Sequence, residues 1–168
     1  MMRVIVAMGV AALAGLCSAG VLPAADVVPA GRVEVVLANE HRAHQAEIVE
    51  AFAASGLTNL HVQFMKAGKP PANIGFGPKV AVERAQAAMR MAKQYNGGIA
   101  VLLPERLFPD QYVTIASSSF DDTVEYPVSE EALKELERPG LTTEQFHELY
   151  RRLTPAEHVP VKKGRVFE

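Results

Sequence analysis

The chain has 168 residues, 49 % of them hydrophobic and 21 % charged, with a formal net charge of −2 and a single cysteine. Less an export signal, that length suits one domain with one core, and the slightly acidic balance lacks the basic excess that phosphate-backbone binding requires, so nucleic acid is not an expected partner. The one cysteine, Cys17, lies in the N-terminal apolar segment, which leaves the mature part without disulfides, a thiolate nucleophile or a thiolate zinc ligand.

Met1-Met2-Arg3 places a positive charge ahead of an uncharged apolar run from Val4 to Leu16, followed by the small residues Ser18, Ala19 and Gly20. This order predicts a signal peptide over residues 1–25. At ~1.5 Å per residue the strongly apolar part spans roughly 20 Å as a helix, short of a ~30 Å hydrocarbon core, so cleavage and a periplasmic or extracellular location are expected. The alternatives are an uncleaved anchor, the only route by which a membrane would be a partner, and a lipidated Cys17. For the latter, Ala14 and Leu16 stand where a lipobox wants Leu and a small residue. A linker follows at 26–31, with Pro29 and Gly31, then an α/β core domain at 32–120 and a helical extension at 121–168 packed on the same domain.

Val33, Val35 and Leu37 alternate as a first strand, and Asn39 is placed to cap a helix running to about Ser55, stopped by Gly56. Leu60-His61-Val62-Gln63-Phe64 has strict period two, which directs Leu60, Val62 and Phe64 to the core and His61 and Gln63 to an open face. After the breaker-rich Ala67-Gly68-Lys69-Pro70-Pro71, Ile74 and Phe76 alternate again, so the two strands read as a hairpin with a loose loop. Gly77-Pro78 precedes a long helix with Ala85, Ala88, Met89 and Ala92 along one line, ended by Asn96-Gly97-Gly98. Ile99 to Leu103 is a solid apolar run, as in a strand covered on both sides, and Tyr112 to Ser117 a further strand. Ser129 is placed to cap one C-terminal helix, and Thr142 with Gln145 makes a capping box for a second carrying Phe146, Leu149, Tyr150 and Leu153.

This order predicts an α+β fold, a ferredoxin-like βαββαβ plait with an added strand and two C-terminal helices; an open α/β sandwich is the alternative. The strand ending Ile74-Gly75-Phe76-Gly77-Pro78, followed by a helix with Ala85 and Ala88, resembles the second half of SPOR domains, small cell-envelope modules. That resemblance implies peptidoglycan binding on the open face of the plait. It covers at most Val33 to Leu103, and Val36-Leu37-Ala38-Asn39 lacks the Gln, Gly and aromatic residues usual near the first SPOR strand.

Two sets of residues are candidates for function. Glu34, His61 and Gln63 on the open face, with Lys69 in the Lys66 to Asn73 loop, offer polar contacts without an aromatic platform, which suits a protein partner better than tight sugar stacking. Glu40, His44 and Glu47 fall within about 60° of one another at ~100° per residue on a helix, which is suitable chemistry for zinc or acid-base work, although no His-Glu-x-x-His signature is present. Ser117-Ser118-Ser119 lacks a nucleophile elbow, and Asp121, Asp122 and Glu125 lack the EF-hand spacing. His147 and His158 lie among polar neighbours and read as exposed. The expectation is an exported, non-enzymatic envelope module that binds a protein partner or cell-wall glycan and needs no cofactor; the alternative is a zinc-binding protein or metal-assisted hydrolase built on Glu40, His44 and Glu47.

Overall fold

A computed structural model describes residues 31–120 and 127–154. The expected signal peptide, most of the expected linker, Asp121, Asp122, Glu125, His158 and the basic tail lie outside the described residues. In chain order the elements are β1 (Val33–Leu37), α1 (Gln45–Ala54), β2 (Leu60–Phe64), β3 (Asn73–Phe76), α2 (Val82–Asn96), β4 (Val101–Leu103), β5 (Val113–Ile115), α3 (Glu130–Leu136) and α4 (Thr143–Leu153). The strands form one mixed sheet in the order β2-β1-β5-β3-β4. This is the α+β arrangement expected, with its added strand and two C-terminal helices, and it is open at both edges.

Pairing within the sheet differs from the sequence reading at one point. The strands 60–64 and 73–76 form no hairpin: β2 pairs with β1, in parallel, while β3 pairs with β4 in parallel and with β5 antiparallel. The connection between β2 and β3, residues 65–72, is too long to act as a register-setting two-residue turn. It crosses the end of the sheet instead. Two βαβ units, β1-α1-β2 and β3-α2-β4, therefore stand side by side rather than interleaved, and β5 joins them by pairing with β1 on its other side.

Local chemistry explains most boundaries. Val33, Val35 and Leu37 are fully buried on the helix-bearing face. In α2, Ala85, Ala88, Met89 and Ala92 turn inward, and Gly97, at φ +74°, adopts the left-handed conformation that ends the helix. Ser129 Oγ accepts from the Ala132 amide at 3.2 Å and starts α3, while Thr142 and Gln145 form the reciprocal capping box of α4. The segment before α1 is a correction. Residues 39–44 form a 3-10 helix capped by Ala38, and the Asn39 side chain accepts from Arg42 Nε at 3.2 Å instead of capping. Bonds of the i+3 type, such as the His41 amide to Ala38 O at 3.1 Å, meet the needs of the first turn, so no Asn cap is required.

The core lies between the sheet and its helices. Phe76 meets Phe146 and Tyr150 edge-to-face at 5.7 and 5.2 Å. Each such ring contributes ~1.5–3 kcal/mol by burial alone. Met89 is fully buried as expected and Phe52 with it, but Phe64 is only half-buried because β2 is an edge strand; the Arg42 guanidinium lies 5.0 Å from its ring centroid. Among the described residues no helix is long and apolar enough to cross a membrane.

Candidate functional site

The face of the sheet opposite the helices is divided in two. Cross-strand register sets His61, Glu34, Thr114, Gly75 and Leu103 in one row across all five strands. At Gly75 the row is capped: a Cβ there would stand 2.4 Å from Phe108 Cε2 and 3.1 Å from Leu103 Cβ. Glycine lets the Phe108 ring lie against β3, and the ring also meets Phe120 edge-to-face at 5.8 Å and stacks on Tyr112 at 5.6 Å. Gly77 has a parallel role, since its Cβ would fall 1.7 Å from Pro109 O. The Ile74-Gly75-Phe76-Gly77-Pro78 motif thus admits the 108–110 segment onto β3, and the β3–β4 half of the face is covered by aromatic rings.

The β1–β2 half carries the polar groups. Structure and sequence agree on its members: Glu34 and His61 are register partners on adjacent strands, Gln63 lies beside Val36, and His61 is exposed. Glu34 is held by Arg32, 2.6 Å away, and by the Tyr112 hydroxyl. Burial first, then the hydrogen bond and charge of Glu34, push the Tyr112 phenol well above its ordinary range. Lys69 is exposed in the loop at the end of the sheet, and no contact ties it to the Glu34–His61 row.

Glu40, His44 and Glu47 do not converge as the helical spacing implied. Glu40 and His44 lie in the 3-10 segment and Glu47 in α1, so one helical phase does not run through all three. His44 Nδ1 pairs with Glu47 Oε2 at 3.3 Å, both side chains being largely in solvent. Among the described residues no group of three or more His, Cys, Asp or Glu side chains is disposed to hold a metal ion. His41 packs edge-to-face on Tyr95 at 5.8 Å with Nε2 3.2 Å from Tyr95 O.

The densest titratable cluster was missed from sequence. His147, expected to be exposed, is 3 % exposed, and Glu105 beside it 8 %. Nε2 of His147 lies 2.8 Å from Val80 O and Nδ1 2.5 Å from Glu105 Oε1. A carbonyl only accepts, so the Nε2–H donates to Val80 O, and Nδ1 meets the Glu105 carboxyl. Arg151 reaches the other Glu105 oxygen at 3.2 Å. Next to them the Tyr150 hydroxyl donates to Leu103 O at 2.7 Å, and burial, followed by the nearby Glu105 charge, holds its phenol far above the usual range. Both ring nitrogens and both carboxylate oxygens are therefore engaged, and the cluster braces α4 against the segments at Val80 and Glu105. The sequence signal was there: His147 sits one residue from Phe146 and three from Tyr150, on the buried stripe of α4.

Concavities also mark the described surface. One of about 570 Å³ has Ala72, Ile99, Val128 and Leu133 in its wall and Lys93 at its rim, but Lys93 is bonded to Glu137 at 2.6 Å. Another, of about 360 Å³, is lined by Pro78, Lys79, Thr143, Glu144, His147 and Arg151, with Lys79 paired to Asp110 at 2.7 Å. In comparisons with known proteins the chain matches no family model, no curated protein and no solved structure.

Proposed function

We propose that this chain is an exported, non-enzymatic module of the cell envelope that binds a protein partner through the β1–β2 half of its open sheet face. The observation that carries the reading is the polar row of exposed His61 and half-buried Gln63, with Glu34 set beside it in register, on the half of the face that the rings of Phe108 and Phe120 leave uncovered. A protein is favoured over cell-wall glycan because the aromatic rings on that side pack on one another, with Phe108 stacked on Tyr112, and so present no free stacking platform. The Lys66 to Asn73 loop, with Lys69, borders the same end of the sheet and extends the contact surface.

Export is read from Arg3, the Val4 to Leu16 run and the small residues after it. A charge in the middle of that run, Ala11→Glu, adds ~2.5–3.5 kcal/mol to membrane insertion and should leave the protein in the cytoplasm. Cell fractionation tests this; mature Ala11→Glu protein in the periplasm or medium would overturn it. The partner surface is tested by capture from envelope extract. Retention on the wild-type protein and on Glu144→Ala, with loss on the double variant His61→Ala, Gln63→Ala, is the expected pattern.

A further inference from the structure

The geometry points to β2 as the seam of a symmetric dimer, in which two copies of this chain pair antiparallel about Val62 and continue the sheet from one protomer into the other. The backbone sets this up. Val33 N donates to Asn59 O at 3.1 Å and Met65 N to Leu37 O at 2.9 Å, with Val33 in register with Leu60. In a parallel ladder each residue bonds the two that flank its partner, so Asn59, His61, Gln63 and Met65 direct their backbone groups at β1. Leu60, Val62 and Phe64 direct theirs outward, to an edge that no other strand covers among the described residues.

A second β2 laid antiparallel on a two-fold axis at Val62 satisfies every one of those groups. Val62 faces its own copy, and Leu60 faces Phe64, as hydrogen-bonded pairs. Between them His61 faces Gln63 in the closer, non-hydrogen-bonded position, imidazole against carboxamide on the open face. Apolar meets apolar on the helix side and polar meets polar on the other, and no like charges are opposed. The strand has none of the usual protection of an exposed edge: Leu60-His61-Val62-Gln63-Phe64 contains no Lys, Pro or Gly. The opposite edge is different. There β4 is three residues long and wholly buried, and the Val128 amide donates to Ala100 O at 2.9 Å alongside it.

An independent observation on α1 fits the same two-fold. Ser55 Oγ approaches Met91 of α2 at 3.5 Å and marks the side of α1 that faces α2. Val49 lies ~100° round the helix from the buried Ile48 and ~120° from Ser55, turned away from the α2 contact at Met91. It is the exposed large hydrophobic residue of the described surface, 38 % accessible, and exposed Ala46 and Ala53 flank it at helical spacing without a charge between them on that line. With α1 packed over the β1–β2 pair, continuation of the sheet at ~4.8 Å per strand brings the two α1 axes to ~10 Å, an ordinary packing distance that small side chains accommodate.

The pairing sets two copies of the Glu34–His61–Gln63 row side by side, so it deepens the partner-surface reading while its test does not depend on that reading. Sedimentation equilibrium of the isolated protein, with circular dichroism to verify folding, is compared across the wild type, the double variant His61→Lys, Gln63→Lys and the charge-paired variant His61→Lys, Gln63→Glu. The first variant opposes two pairs of like charges across the seam, and the second opposes unlike ones. The expected result is a wild-type dimer, association weakened about tenfold or more by the like-charged pair, and recovery in the charge-paired variant. A wild type that stays monomeric, as when this edge belongs to a strand from another protein, would overturn the pairing, as would three proteins that associate equally. Capture of a different partner lost with His61 and Gln63 would still uphold the partner surface in that case.

Discussion

Replacing His147 by alanine probes how the C-terminal helices are fixed to the sheet. The ring is 3 % exposed and Glu105 8 %, and the two approach at 2.5 Å. Truncation leaves the Glu105 carboxylate buried with Arg151, itself 59 % exposed, as its remaining ion partner, and leaves Val80 O without the ring N–H. Deleting one member of a buried pair costs ~3–5 kcal/mol where the other is left unpaired, and the largely exposed Arg151 offsets only part of that for Glu105. The ring's edge-to-face contact with Phe146 at 5.4 Å is lost as well. Against a typical total of ~5–15 kcal/mol, that is a large fraction of the stability of the domain. Two controls separate the causes. Arg151→Ala removes a solvent-screened partner and should cost ~1 kcal/mol or less. Glu105→Gln keeps a donor for Nδ1 while removing the charge, and should cost ~1 kcal/mol. Urea unfolding followed by far-ultraviolet circular dichroism measures all three. Equal losses for His147→Ala and Arg151→Ala would refute the reasoning, since they would mean that the pair is effectively solvated.

Other expectations follow from single contacts. Gly75→Ala drives a methyl group into the Phe108 ring, 2.4 Å from Cε2, and should destabilise by ~1–3 kcal/mol, with much of the loss recovered in a Phe108→Ala background; a double-mutant cycle without coupling would show that the ring does not cap β3. The Tyr112 phenol is raised in the folded state, so its contribution is fully present below the ordinary phenol value of ~10 and is lost as pH rises through the higher folded value. Alkaline urea melts should therefore fall less steeply with pH in Tyr112→Phe than in the wild type, and identical slopes would contradict a phenol raised by burial and by Glu34. Phe64→Ala, at a half-buried edge position, should cost less than Phe52→Ala in the closed core, where ~3–5 kcal/mol is usual; equal costs would mean that β2 is not an edge.

What was legible in the sequence was periodicity and capping. The alternation of Val33, Val35 and Leu37, the Ala85 to Ala92 line, the solid run into Leu103 and the caps at Ser129 and Thr142 all depend on neighbours within a turn or two, and each was found where expected. Strand adjacency was not legible, because element order leaves open whether β2 joins β1 or β3, and the long 65–72 connection carries no turn chemistry that decides it. Neither was the 3-10 form of residues 39–44: Asn39-Glu40-His41-Arg42-Ala43-His44 is compatible with either i+3 or i+4 bonding, and only the α-helical choice would have carried Glu40, His44 and Glu47 along a single helix. The polar row at Glu34, His61 and Gln63 was visible because β-strand alternation fixes the face. The Glu105–His147 contact was not, since it joins residues 42 apart in the chain, although Phe146 and Tyr150 mark the buried stripe on which His147 lies.

The central claim is that the β1–β2 half-face meets a protein partner in the cell envelope, and site-specific photo-crosslinking in intact cells tests it most directly. A photo-reactive residue in place of Gln63 is compared with one in place of Glu144, an exposed position at the start of α4. Besides the adduct of twice the chain mass that the β2 seam gives at position 63, the account predicts a discrete envelope-fraction adduct of another mass from that position, and none of that mass from position 144. The same adducts from both positions, or none from position 63 while the protein is exported and folded, would contradict it.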